Sequence, residues 1–163
     1  MSNIVRTGAW QAVSVGLQRL EGNIDKHHTK IVRKAGQLAR RVIVKNLRSG
    51  GSLVGNPFHP NSDVTIDLKG SSSPLIDNGD LMGSIKSKMQ GKYRVFVGPS
   101  RMHPSGANIG AILHDGTDRA GRGNSVTIEP RRFIGDVAES NFLADKIENI
   151  MQDMYEQMIK ELF

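Results

Sequence analysis

The sequence has no cysteine in 163 residues. Disulfide staples, thiolate metal sites and cysteine nucleophiles are therefore excluded, and folding in a reducing compartment is compatible with the chain. Aromatic residues are scarce at 5%, and apolar residues reach only 37%. Such a composition predicts a modest core with sizeable loops, completed in part by contacts between subunits. No apolar run approaches the ~18–20 residues of a membrane span. The opening Met1-Ser2-Asn3-Ile4-Val5-Arg6 lacks the apolar stretch of a signal peptide, so a soluble, unsecreted protein with no membrane partner is expected. Catalytic signatures are missing as well. There is no HExxH, no pair of His at i, i+4, no GxSxG elbow and no GxxxxGK[ST] loop.

What the chain does have is glycine, 18 residues of it, and an uneven charge. Residues 1–50 carry ten Lys/Arg against Glu21 and Asp25, residues 51–135 carry ten against seven acids, and residues 136–163 carry Lys146 and Lys160 against seven acids. A basic beginning and an acidic end suit either head-to-tail docking of subunits or two helices lying side by side with solvated faces of opposite sign. A length of 163 residues predicts one domain over 1–163.

Apolar residues at Trp10, Val13, Leu17, Leu20, Ile24, Ile31, Ala35, Leu38, Val42 and Ile43 recur at three and four. This spacing predicts an amphipathic helix over about 10–48, with a break or kink near Gly22 to His28 and a stop at Ser49-Gly50-Gly51. Residues 49–73 read as an extended arm, with a short strand where Val64, Ile66 and Leu68 alternate with polar residues. A β-rich region is expected over 74–135, including a hairpin from Ile85–Met89 and Tyr93–Val97 and a strand at Val126–Ile128. Pro99 to Ala111 reads as a loop. Phe142, Leu143, Ile147, Ile150, Met151, Met154, Met158 and Leu162 predict a second helix over about 138–162, acidic outside. The fold class that follows is α+β: a small antiparallel sheet flanked by a long N-terminal and a shorter C-terminal helix, with long loops.

Two chemical readings compete with a purely structural one. The basic face that includes Arg33, Lys34, Arg40 and Arg41 could neutralise phosphates, with salt-dependent affinity. No aromatics are interleaved with these charges, so stacking on single strands is disfavoured. A metal-dependent hydrolase would need His103, His114 and Asp115 to converge. His27 and His28 are adjacent on a helix, so they diverge by about 100° and do not share an ion. No enzyme activity and no cofactor are expected.

Four segments, in order, resemble the tail-completion, or virion morphogenesis, proteins of tailed bacteriophages. Those proteins tend to carry P-L-x-x-T/N-G-x-L-x-x-S-I after a basic helix. Here it is Pro74-Leu75-Ile76-Asp77-Asn78-Gly79-Asp80-Leu81-Met82-Gly83-Ser84-Ile85. A strand ending in V-G follows (Val95-Phe96-Val97-Gly98), then an apolar residue and H-x-x-G-T (Leu113-His114-Asp115-Gly116-Thr117). The last piece is Ile128-Glu129-Pro130-Arg131-Arg132-Phe133-Ile134-Gly135. The resemblance spans about residues 30–160. It departs from the pattern at Asp115, where an aromatic is common, and in a longer link from Gly98 to His114.

The resemblance implies a virion protein of the tail or neck, assembled in the host cytoplasm, that finishes the tail or joins it to the head. It would act as one subunit of a ring, sixfold to match tail symmetry, beside adjoining tail or neck proteins and with DNA passing without sequence specificity. Arg33, Lys34, Arg40, Arg41, His59, His103, Asp118, Arg119 and Arg122 are then candidate subunit or partner contacts. Pro74, Leu75, Gly79, Leu81, Ile85, Gly98, His114, Gly116, Pro130 and Phe133 would define the fold. Gly79 suits a left-handed turn and Gly116 a sharp one after His114. Phe133 would anchor the sheet beneath the last helix.

Overall fold

The computed structural model describes the backbone of residues 10–121 and 123–162, and side chains from 18 to 160 within them. The expectations placed on the side chains of Trp10, Val13, Leu17, Arg122 and Leu162 lie outside the described residues. The architecture is α+β: a long N-terminal helix, a long C-terminal helix packed on it, and two small antiparallel two-stranded sheets.

The first helix, α1, runs Trp10–Arg48 without interruption, so the expected break between Gly22 and His28 does not occur. Neighbours on several sides of the rod support this span. Lys45 and Arg48 in its last turn suit the negative end of the helix dipole. The chain then doubles back: Gly51 N–H donates to Asn46 O (3.0 Å) and Phe58 N–H to Gly50 O (2.7 Å).

Residues 49–73 are not a plain extended arm. They hold a 3-10 turn at Ser52–Val54 and a helix, α2, at Asp63–Lys69, where a strand was expected. Local capping outweighs the two-residue alternation. Ser62 accepts the Thr65 N–H, Asp63 sits in the first turn, and Gly70 closes the helix in the left-handed region. A short helix, α3 (Asp80–Ser84), leads directly into the hairpin of β1 (Ile85–Met89) and β2 (Val95–Pro99), with Ile85 opposite Pro99 and Met89 opposite Val95. The expected loop over 99–111 ends early, because Asn108 caps α4 (Ile109–Asp115). The strands β3 (Thr117–Ala120) and β4 (Val126–Ile128) form a second, irregular hairpin. The closing helix is two pieces, α5 (Gly135–Glu139) and α6 (Asn141–Leu162), separated at Ser140.

The core gathers where α1 ends. Val42, Ile43 and Leu47 meet Phe58, Leu81, Ile85, Phe133, Val137 and Leu143. Fully burying each such side chain is worth about 1.5–3 kcal/mol. Asn46 is fully buried in this core, and its side-chain amide meets no protein partner. Farther along α1, Lys34 Nζ lies 3.3 Å from Met154 Sδ, and His28 stands edge-on to both Tyr93 and Tyr155 at 6.3 and 6.1 Å. Since Leu143 shares the core with Val42 while Tyr155 meets His28, the two rods are antiparallel.

On the opposite flank of α1 the first hairpin is held at three places. Arg40 Nε donates to Ile85 O (2.8 Å). At the hairpin tip, Lys92 Nζ pairs with Asp25 Oδ2 (2.8 Å) and the Tyr93 hydroxyl donates to the same carboxylate. Between them, Gly36 is buried, and a Cβ there would collide with Val95 Cγ2 and lie 2.8 Å from Ser87 Oγ. A glycine at this one position lets the hairpin lie against the rod.

Gly36→Ala should gain about 1 kcal/mol of helix propensity. It should lose more to overpacking against a stiff branched neighbour, about 1–3 kcal/mol. The expected net is a loss of about 1 kcal/mol by urea unfolding, recovered when Val95→Ala is added. The hydrogen bonds from Lys92 and then Tyr93 hold the Asp25 carboxyl below its ordinary value of 3.8. A lowered folded-state value means stability that is present above the unfolded value and lost as pH falls through the folded one. The melting-temperature gap between the wild type and Asp25→Asn should therefore be full at neutral pH and close below pH 3.8.

Candidate functional site

The four segments of the resemblance come together through hydrogen bonds rather than around a reactive centre. The first carries Leu75 with a φ of 60°, a left-handed conformation that costs an L side chain about 1–2 kcal/mol. Gly79, with φ of 85°, then starts α3, and the Asp80 N–H donates to Asn78 Oδ1 (3.3 Å). At its end Ser84 O accepts both the N–H and the hydroxyl of Ser100, each at 2.9 Å, which fastens this segment to the end of β2. Gly98 is buried in β2, and Asn108 Nδ2 donates to Pro99 O (3.2 Å) from the head of α4.

His114 joins the third segment to the fourth. Its Nδ1–H donates to Asp115 Oδ1 at 2.7 Å, and its Nε2 accepts the Gly135 N–H at 3.0 Å; the ring stands edge-on to Phe133 at 5.4 Å. The partners assign the tautomer. Gly116 follows with φ of 75°, and a Cβ there would lie 2.7 Å from Ile128 O and 2.9 Å from Pro130 N. Both the conformation and the space require glycine. Beyond Pro130, Arg131 N–H reaches Leu113 O and His114 O at 3.2 Å each. Its side chain donates from Nε to His59 O (3.0 Å) and from Nη2 to Pro60 O (3.2 Å). Partial burial holds Arg131 below the usual arginine value, with Glu129 opposing the shift; a guanidinium remains charged.

Between α2, the Leu75–Leu81 turn, α4 and β4 lies an open cleft of about 770 Å³. Its walls include the apolar Leu75, Leu81, Ile109, Leu113 and Ile128, and its rim the charged Lys69, Asp77, Glu129 and Arg131. An Asp80–Arg101 ion pair (2.7 Å) contributes to the lining. The helix α2 has no buried residue; Val64 is 68% and Leu68 86% exposed. Its excursion is closed at the neck by Asn61 Nδ2, which donates to Ser72 O and Ser73 O at 3.3 Å each.

The expected contact residues are scattered. Arg33 and Arg41 are exposed on α1, while Lys34 and Arg40 are engaged with Met154 and Ile85. His59 lines the cleft, its Nδ1 3.0 Å from Pro60 O. His103 sits in an exposed turn against Ser105, and Asp118 and Arg119 face solvent on β3. Arg122 lies outside the described residues. Three features were not anticipated: α2, signalled by its Ser62 cap and Gly70 stop; α4, signalled by its Asn108 cap; and the Arg131 staple, for which the sequence carries no signal.

For chemistry these arrangements offer little. Among the described residues no group of three or more His, Asp or Glu is placed to hold a metal, so His103, His114 and Asp115 do not form one. Both nitrogens of His114 are engaged, leaving none to take a substrate proton. The His103–Ser105 pair closes a local turn, since the Ser105 N–H also donates to Nδ1. Among the described residues no helix is long and apolar enough to cross a membrane. No family model, no curated protein and no solved structure matches this chain.

His114→Ala removes the acceptor of the half-buried Gly135 N–H and the ring over Phe133. It should cost about 2–3 kcal/mol in urea unfolding. Asp115→Asn, at an exposed site, should cost under about 1 kcal/mol. Equal costs for the two would count against an architectural His114.

Proposed function

We propose that this chain is a structural protein of a tailed-phage virion that completes the tail or joins it to the head at the neck. It would act as one subunit of an oligomeric ring, taken as sixfold, beside other tail or neck proteins. The observation that carries the reading is the use to which the resembling residues are put. Gly116, His114, Arg131 and Phe133 are consumed in holding segments together, as expected of a motif that records architecture rather than catalysis. What remains unsatisfied is surface: an apolar-walled cleft and a helix that exposes Val64 and Leu68. Exposed apolar surface beside a polar rim is compatible with a protein contact.

A second reading is binding of nucleic acid along α1. It draws on the exposed cations of that helix, among them Lys30, Arg33, Arg41 and Arg48. The first reading accounts for the four ordered segments as well, and is preferred.

Removing the coding sequence from the phage genome that carries it and imaging the particles tests the proposal. Heads and tails that form but fail to join, or tails left unfinished, are expected, with rescue by the protein supplied in trans. Normal infectious particles that lack the protein by mass spectrometry would overturn it.

A further inference from the structure

The long helices carry opposite charges, and these charges do not neutralise one another. On α1, Lys26, Lys30, Arg33, Arg41, Lys45 and Arg48 are all exposed. At 100° per residue most of them fall in one stripe, on the side of the rod away from Val42, Ile31 and Asn46. On α6, Asp145, Glu148, Asp153 and Glu156 are exposed and lie opposite Leu143 and Met154. Although the rods lie side by side, their charged stripes face outward, and among the described residues no α1 cation pairs with an α6 carboxylate. Lys146, in the second turn of α6, is drawn aside over the Phe142 ring at 4.9 Å, and the exposed Lys160 lies beyond Glu156, past the end of the acidic run.

The central part of the basic stripe matches the acidic stripe in length. Lys30 to Arg41 and Asp145 to Glu156 each span eleven steps, about 16 Å of helix. Ile159, 53% exposed, lies on the acidic side and adds an apolar contact at its end. We infer that the basic stripe of α1 in one copy docks on the acidic stripe of α6 in a second copy. Such a contact is heterologous, with each copy offering one stripe and accepting the other, so it propagates into a closed ring or an open array. A nucleic acid on α1 is less well matched: the stripe offers no aromatic to stack on a base.

This inference rests on the assembly reading for its role, but its test needs no virion. Two variants are made: Lys26→Glu/Lys30→Glu/Arg33→Glu/Arg41→Glu, which turns the Lys26–Arg41 part of the α1 stripe acidic like that of α6, and Asp145→Lys/Glu148→Lys/Asp153→Lys, with both basic. The wild type should self-associate in analytical ultracentrifugation at low salt, and weaken as salt screens the stripes. Each variant alone should associate about a hundredfold more weakly, through like-charge contact. An equimolar mixture should associate again, because each variant then meets its complement. That rescue also shows that both variants are folded. A wild type that stays monomeric at low salt, or a mixture no better than its parts, overturns the inference. So does nucleic-acid retention that the α1 variant abolishes while self-association is unchanged. Failure in any of these ways leaves the particle-imaging result standing, and a normal particle without the protein would not touch the solution contact.

Discussion

The stripe Val42–Ile43–Leu47 can leave water only if three later parts of the chain return to it. A single helix has nothing to bury itself against, and the stability of a helix in a protein comes mainly from packing its apolar face. Ile85 arrives with the hairpin, Phe133 and Val137 with the segment after β4, and Leu143 with the last helix. Each return fixes what lies between. The hairpin must lie flat on α1, which Gly36 allows, and the chain must turn sharply at Gly116 so that Pro130 and Phe133 reach the core.

This dependence explains which parts of the fold were legible in the sequence. Both long helices could be read because their apolar spacing is sustained over many turns, and the first hairpin because Val95 and Val97 alternate with polar or outward residues, though its second strand runs Val95–Pro99, two residues later than Tyr93–Val97, with Tyr93 left in the turn. The motif residues were assigned to architecture, and Phe133, Leu81 and Ile85 are buried in the core. Readings failed where local and tertiary signals disagree. Val64, Ile66 and Leu68 alternate as a strand would, but Ser62 and Gly70 close a helix instead. The break expected near Gly22 does not occur either, since a helix held by Asp25, His28 and Lys34 contacts tolerates a glycine that an isolated one would not. The Arg131 bonds to His59 and Pro60 join residues some seventy apart, a distance across which pattern reading has no reach.

The candidate contact residues show the same division. Charge patterning placed cations on α1 correctly, but it could not tell an idle one from an employed one. Arg40 is spent on Ile85 O and Lys34 on Met154, while Arg33 and Arg41 stand clear in solvent. Only packing separates a basic residue that holds the monomer together from one available to something else, and a helical wheel does not contain that information.

The neck formed by Asn61 with Ser72 and Ser73 has a consequence of its own. The stretch between those residues leaves and rejoins the body at nearly one point and contributes no side chain to the interior. It can therefore be shortened, lengthened or recoded without the central packing having to be solved again. Under the assembly role proposed above, that decoupling would let the fitted surface diverge quickly while the scaffold beneath it stays the same.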